Sequence, residues 1–213
     1  WDGWDGVVVF VDADYQLYVV DTNEGRYTQI PPLRPELAVP PPPPSASYMD
    51  PAIYQNRVYS EWTTTLLDPW TTEIAEIDLG ANSARSLYRR EYDHDYISYS
   101  YAMDLDVFGS RIVAAGGCGS YEHRELCLFN AESPGEVSVL IAERYGLENS
   151  IWGDIVVWTT GTDDIQAWDF TSGERILITD DAPDQCFARV QDGRVVYQDL
   201  SLGTASCFSS WAN

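Results

Sequence analysis

The chain of 213 residues carries 34 acidic residues against 12 basic ones, all of them arginine, for a formal net charge of −22. A field this negative repels phosphate backbones, which argues against nucleic acid and anionic membrane surfaces as partners and favours cations and basic proteins. No apolar run approaches the ~20 residues of a membrane span, and the length suits one all-β domain over residues 1–213.

In chain order the same phrase recurs. Residues 1–6 are barely long enough for a first strand. The run Gly6-Val7-Val8-Val9-Phe10 then reads as a strand entered through a turn, Gln16–Asp21 as an alternating, half-buried strand, and Tyr27–Ile30 as a further run. Pro31–Ser47 is a loop whose Pro40–Pro44 string is polyproline-like. The phrase restarts with Met49–Tyr54, Asn56–Tyr59, Glu73–Asp78 and Arg85–Tyr88. It returns as Met103–Phe108, Ser110–Val113, Glu125–Asn130 and Val137–Ile141, and again as Ser150–Trp152, Gly153–Trp158, Ile165–Asp169 and Arg175–Ile178. A last, incomplete round holds Phe187–Val190, Gly193–Tyr197 and Ala205–Trp211.

The turn residues that open the second run of each round are Gly6, Asn56, Ser110, Gly153 and Gly193, spaced 50, 54, 43 and 40 residues apart. A period of this size written in strand-forming residues marks a β-propeller. The reading is therefore an all-β propeller of about five four-stranded blades, the last incomplete, which either closes with one thin blade or is part of a larger ring. No stretch has a 3.6-residue apolar period, so helix is expected to be almost absent. The third runs close on Asp21, Asp78, Asn130 and Asp169, each followed by a turn, where an Asx side chain can bond a nearby backbone N–H.

The patterns Gly153-Asp154-Ile155-Val156-Val157-Trp158, Ile165 to Arg175, and Gly193-Arg194-Val195-Val196-Tyr197-Gln198-Asp199 resemble the TolB-like propeller repeats of bacterial periplasmic and surface proteins. The resemblance runs along the whole chain and is clearest over 150–200. It implies a blade and a secreted, periplasmic or cell-surface setting, and is nearly silent on chemistry. Trp168-Asp169 is similar to the WD-repeat dipeptide, but the His-bearing partner motif of that family is missing. The chain begins at Trp1 rather than Met, which predicts a removed upstream segment, either a signal peptide or the rest of a larger protein.

In this strand order the connections from second to third strand, and from fourth strand to the next blade, share one face. That face receives every long segment, and long loops on a rigid scaffold are where binding resides. Thr63–Thr72 contributes Trp70. Arg89–Tyr101 contributes Tyr92, Asp93, His94, Asp95, Tyr96, Tyr99 and Tyr101. Gly116–Arg124 contributes Tyr121 and His123. Tyrosine-rich loops with scattered carboxylates suit a protein or glycan partner; packing over the second blade is the alternative. His94 and His123, with Asp93, Asp95 and Glu122, are the candidate metal ligands.

Met49-Asp50 and Met103-Asp104 occupy the same repeat position, which puts Asp50 and Asp104 near the central channel. They could bind Ca²⁺, or act with Asp106 as acids of a carbohydrate-active enzyme. The fourth and fifth units place Leu147 and Phe187 there, which weakens that reading, and repeat duplication of a local turn also explains the pair. No phosphate cradle, nucleophile elbow or Cys/His nucleophile pair is present, so the chain reads as a binding module without a required cofactor rather than an enzyme. A structural subunit pairing through an open blade edge is a third reading. The four cysteines match no zinc spacing and suggest disulfides. Cys118 and Cys127 flank one hairpin and are expected to pair; Cys186 and Cys207 lie on strands too far apart unless the fifth blade is irregular.

Overall fold

The computed structural model describes residues 2–12, 16–31, 46–64, 70–92, 104–116, 125–141, 145–180 and 184–200. These residues form strands and turns, with no helix among them. Blade 1 holds β1 (Asp2–Trp4), β2 (Val7–Val11), β3 (Leu17–Asp21) and β4 (Arg26–Gln29). Blade 2 holds β5 (Ala46–Tyr54), β6 (Arg57–Thr64), β7 (Trp70–Asp78) and β8 (Ser83–Tyr92). Blade 3 holds β9 (Asp104–Phe108), β10 (Arg111–Gly116), β11 (Glu125–Asn130) and β12 (Val137–Ile141). Blade 4 holds β13 (Tyr145–Trp152), β14 (Ile155–Thr160), β15 (Ile165–Asp169) and β16 (Glu174–Leu177). Blade 5 shows β17 (Gln185–Gln191) and β18 (Arg194–Asp199).

Every pairing within a blade is antiparallel between chain neighbours. The first strands of successive blades touch, β1 with β5, β5 with β9, β9 with β13 and β13 with β17. They surround a common axis from which the sheets radiate, and the architecture is a β-propeller.

Because blades 2, 3 and 4 are covered on both faces, their central strands bury alternate residues against different neighbours. Val58 and Trp62 pack toward blade 1 with Val9 and Leu17, while Tyr59 and Ile74 pack toward blade 3 with Leu105, Ile112 and Phe129. Val113 and Ala115 turn the other way, onto Val156 and Trp158 of blade 4. This is why runs such as Val156-Val157-Trp158 are apolar without interruption.

Turn chemistry sets the register. The first and second strands of each blade are joined by two residues. In blades 1 and 5 these are Asp5-Gly6 and Asp192-Gly193, all at positive φ (45°, 79°, 49° and 70°), the conformation that a two-residue hairpin matched to strand twist requires. The closing pairs are Trp4↔Val7, Tyr54↔Arg57, Phe108↔Arg111, Trp152↔Ile155 and Gln191↔Arg194, so these five first-strand ends are equivalent. The Asx expectation holds in all four complete blades. Asp21 Oδ1 accepts from Asn23 N (2.9 Å), Asp78 Oδ1 from Ala81 N (2.8 Å), Asn130 Oδ1 from Glu132 N (2.9 Å) and Asp169 Oδ1 from Thr171 N (2.7 Å). Those bonds hold the Asp169 carboxyl below its ordinary pKa.

The structure corrects three details. Trp70 opens β7 and Tyr92 closes β8, so they are facing strand ends rather than loop residues. Opposite charges across this ladder, Glu73↔Arg89 and Glu76↔Arg85, carry the pairing further than the apolar pattern alone suggests. β5 likewise starts at Ala46, three residues before Met49. Finally, counting back from the equivalent ends Tyr54, Phe108 and Trp152 puts Glu148, not Leu147, at the repeat position of Asp50 and Asp104. The strand Ala205–Trp211 lies outside the described residues.

Blade 2 also buries charge. Glu76 receives Arg85 at 2.9 and 3.1 Å and lies 3.5 Å from Arg57. Arg85 Nη2 also donates to Ala131 O of blade 3 at 2.9 Å, tying the two blades together. Burial, and then the charge of Glu76, push the neighbouring Tyr59 hydroxyl up to about 12.

Candidate functional site

First strands of adjacent blades belong to separate sheets, so their inward N–H groups need other acceptors. Carboxylates of the preceding blade supply them. Asp2 Oδ1 accepts from Gly3 N and its Oδ2 from Ile53 N of blade 2, both at 2.8 Å. Asp106 does the same two blades on: Oδ1 accepts from Val107 N and Oδ2 from Ile151 N of blade 4, both at 2.8 Å. Ser150 Oγ takes that position in blade 4 and accepts from Val190 N of blade 5 at 3.3 Å. Two residues earlier in the strand, Asp104 Oδ2 accepts from Asn149 N (3.0 Å) and Glu148 Oε2 from Phe187 N (2.5 Å). The channel carboxylates are thus inter-blade staples. Sequence reading found Asp104 through its Met-Asp repeat but missed Asp2 and Glu148. The signal was there in the two-residue turns, which would have aligned the strand ends. The Asp50 side chain lies outside the described residues.

Asp106 pays for its place. Burial pushes its carboxyl up to about 6, with the charge of Asp2 adding to the rise, while the N–H of Ile151, the Ser150 hydroxyl and the N–H of Val107 pull it down. Burial also raises Glu148, against the pull of the Phe187 N–H and of Arg189.

The first strands enclose an axial cavity of about 950 Å³, lined from all five blades. One end is narrowed by aromatics at the equivalent strand ends. Trp4 meets Tyr54 at 4.6 Å and Trp152 at 5.9 Å between ring centroids, and Phe108 meets Tyr54 at 5.1 Å and Trp152 at 5.0 Å. Four blades contribute one ring each; blade 5 contributes Gln191 instead.

The four longest connections run from β4 to β5, β8 to β9, β10 to β11 and β16 to β17, and all leave the blades at the end opposite the two-residue turns. Trp70 and Tyr92 face each other across β7 and β8 at that end. The remaining residues expected there, Asp93, His94, Asp95, Tyr96, Tyr99, Tyr101, Tyr121, Glu122 and His123, lie outside the described residues. Among the described residues no group of three or more His, Cys, Asp or Glu side chains is placed to hold a metal ion.

Cys127 and Cys186 are each disulfide-bonded. Cys118 and Cys207 lie outside the described residues. The expected partner of Cys127 is Cys118, across the β10–β11 hairpin. Mass mapping of a non-reduced digest should recover the peptide carrying both; two alkylatable thiols, or Cys127 linked elsewhere, would refute the pairing.

No protein-family model and no curated protein matches the chain. Solved structures match it through their fold. TolB from Acinetobacter baumannii is 12% identical, with 91% of this chain covering 48% of that one at a TM-score of 0.54. BamB from Moraxella catarrhalis is 14% identical, with 92% covering 53% at 0.52. A nidogen/laminin complex gives 15% identity, with 80% covering 57% at 0.51. The chain spans about half the length of these structures. At such identities the likeness is one of fold: it supports a β-propeller and singles out no family of TolB-like repeats. No helix among the described residues is long and apolar enough to cross a membrane.

Proposed function

We propose that this chain is a secreted, periplasmic or cell-surface binding module that holds a protein partner against its long-loop face. The observation that carries the reading is the asymmetry of the connections. At one end the first hairpins turn on two residues and the third-to-fourth connections are short, while the other end sends out the four longest connections, with Trp70 and Tyr92 paired in register at the base of that end. Loops of that kind on a rigid scaffold concentrate binding. Aromatic anchors rimmed by carboxylates suit a macromolecular partner, and the high negative charge favours a basic one. A propeller of similar fold occurs in a nidogen/laminin complex, a protein–protein assembly. The occupied carboxylates of the axis favour binding over hydrolysis, because Asp2 and Asp106 spend both oxygens on backbone N–H groups.

The test pairs two variants of the chain, Tyr96→Ala/Tyr99→Ala and Trp70→Ala/Tyr92→Ala. Proximity cross-linking in the native host identifies the partner, and its affinity and the melting temperature are then measured for each variant. A binding face predicts at least tenfold weaker affinity for the Tyr96/Tyr99 variant, equivalent to about 1.4 kcal/mol or more, at an unchanged melting temperature. Unchanged affinity with a large loss of melting temperature would mean that the tyrosines only cover blade 2.

A further inference from the structure

Apolar clusters tie blade 1 to 2, 2 to 3, 3 to 4 and 4 to 5, and among the described residues no such cluster joins blade 5 to blade 1. The two sheet faces turned toward that junction carry apolar residues. On blade 1 the cross-strand rows Val8↔Val20↔Tyr27 and Phe10↔Tyr18 point away from the cluster shared with blade 2. The Phe10 and Tyr18 rings stack there at 5.3 Å between centroids. On blade 5, Val190 and Val195 pack on blade 4, so the next pair, Arg189 and Val196, points the other way, and Val196 is 68% exposed. Contiguous apolar residues on an open sheet face mark a contact surface.

A covalent bond identifies the occupant. Cys186 is disulfide-bonded. It pairs in register with Gln198, which lies on the Val196 side of β18, so Cys186 also points away from blade 4. Gln198 is exposed there, whereas Cys186 is 2% exposed and belongs to none of the four clusters. Its partner is not Cys127, which is buried between blades 2 and 3. Nor is it Cys118, which follows the end of β10 by two residues, a reach of ~7 Å, with blade 4 and the β17–β18 sheet in between. Cys207 remains. The chain leaves β18 at the right end for it: Leu200 N donates to Asp184 O at 3.0 Å, level with the start of β17.

We infer that residues 201–213 form a strap, joined to blade 5 by a Cys186–Cys207 disulfide and laid over its outer face, that seats Phe208 and Trp211 against the Val8, Phe10, Tyr18 and Val20 face of blade 1. A flat third strand beside β18 would hold Cys207 ~9–10 Å from Cys186, outside the ~4.4–6.8 Å that bridged Cα atoms require. The bond therefore lifts the segment out of the sheet, on the side to which Cys186 points. The composition suits a covered strap. Residues 201–213 include Leu202, Phe208 and Trp211 and no charged side chain, so they approach an acidic body without repulsion and bring large rings to an apolar face. Forming the bond takes two electrons and two protons from the two thiols; a disulfide oxidant of an oxidising compartment accepts them and is reduced to thiols. The strap supplies the link between blades 5 and 1 and does not depend on the partner-binding reading.

The test uses the full chain in two measurements. Mass mapping of a non-reduced digest is expected to recover Cys186 linked to Cys207; another partner for Cys186, or alkylatable thiols at both positions, would overturn the strap. Its seat is read by photo-cross-linking from Trp211→p-benzoylphenylalanine. Products are expected on residues 7–20 of blade 1 and on β18, and their yield should fall about fivefold or more when Cys186→Ala/Cys207→Ala is added, because the tether sets the local concentration of the segment. An unchanged yield without the disulfide would overturn the tether. Cross-links to other blades only would overturn the seat on blade 1, and cross-links between two chains would assign that face to a second copy instead. If the cysteine variant does not fold, the map from the disulfide-bonded protein alone decides the seat.

Discussion

Trp158→Ala is expected to destabilise the protein by about 3–5 kcal/mol, the usual cost of emptying a buried aromatic site. Trp158 is fully buried between blades 3 and 4, against Val113, Leu126, Ile141 and Ile151. A blade interface cannot collapse around the lost ring, because both sheets are held by their own ladders. Trp158→Phe should cost much less. The ring stays, and the N–H it deletes, Nε1, is buried without a hydrogen-bond partner, so its removal recovers part of a ~1–3 kcal/mol desolvation penalty. Denaturant midpoints of the two variants decide this. A Phe variant as unstable as the Ala variant would mean that Nε1 bonds a buried water.

The second large effect belongs to Asp106. Its carboxyl titrates at about 6 in the fold, against 3.8 for the ordinary group. The folded state therefore holds a proton that the unfolded chain has released between those values. Stability from this group is full below about pH 4 and is lost as pH rises through about 6. A shift of roughly two units corresponds to about 3 kcal/mol. Asp106→Asn cannot ionise, so its stability relative to wild type should improve by about that amount between pH 4 and pH 7, whatever fixed cost the amide carries. The other acidic residues titrate in both proteins and cancel in the difference. Parallel stability curves for the two proteins across that range would overturn the assignment.

Much of the fold is legible in the residues. The period of turn residue followed by β-branched run located every described second strand, and the closing Asx residues located every described third-to-fourth strand turn. Strand ends were less legible where charge continues the ladder beyond the apolar run, as at Trp70 and Tyr92. In the site, Asp104 was found because its repeat position resembles that of Asp50. Its role was not, because a carboxylate that accepts a neighbouring blade's N–H carries no local mark distinguishing it from a catalytic acid. Asp2 was hidden in a strand of three residues, and Glu148 behind a register shift of β13 against β14.

The sequence by itself determined the blade. Hairpin turns, period-two alternation and Asx caps act between residues close in the chain, and their energetics do not depend on what lies across the axis. Only the tertiary structure decided what the innermost residues do. The bonds from Asp2 to Ile53, from Asp106 to Ile151 and from Glu148 to Phe187 span 51, 45 and 39 residues, and the convergence of Trp4, Tyr54, Phe108 and Trp152 draws one ring from each of four blades. Such contacts exist only once the sheets are set around a common axis. Burial there converts an ordinary aspartate into a staple whose charge is costly, and four of the five equivalent strand ends become an aromatic cluster while the fifth carries Gln191.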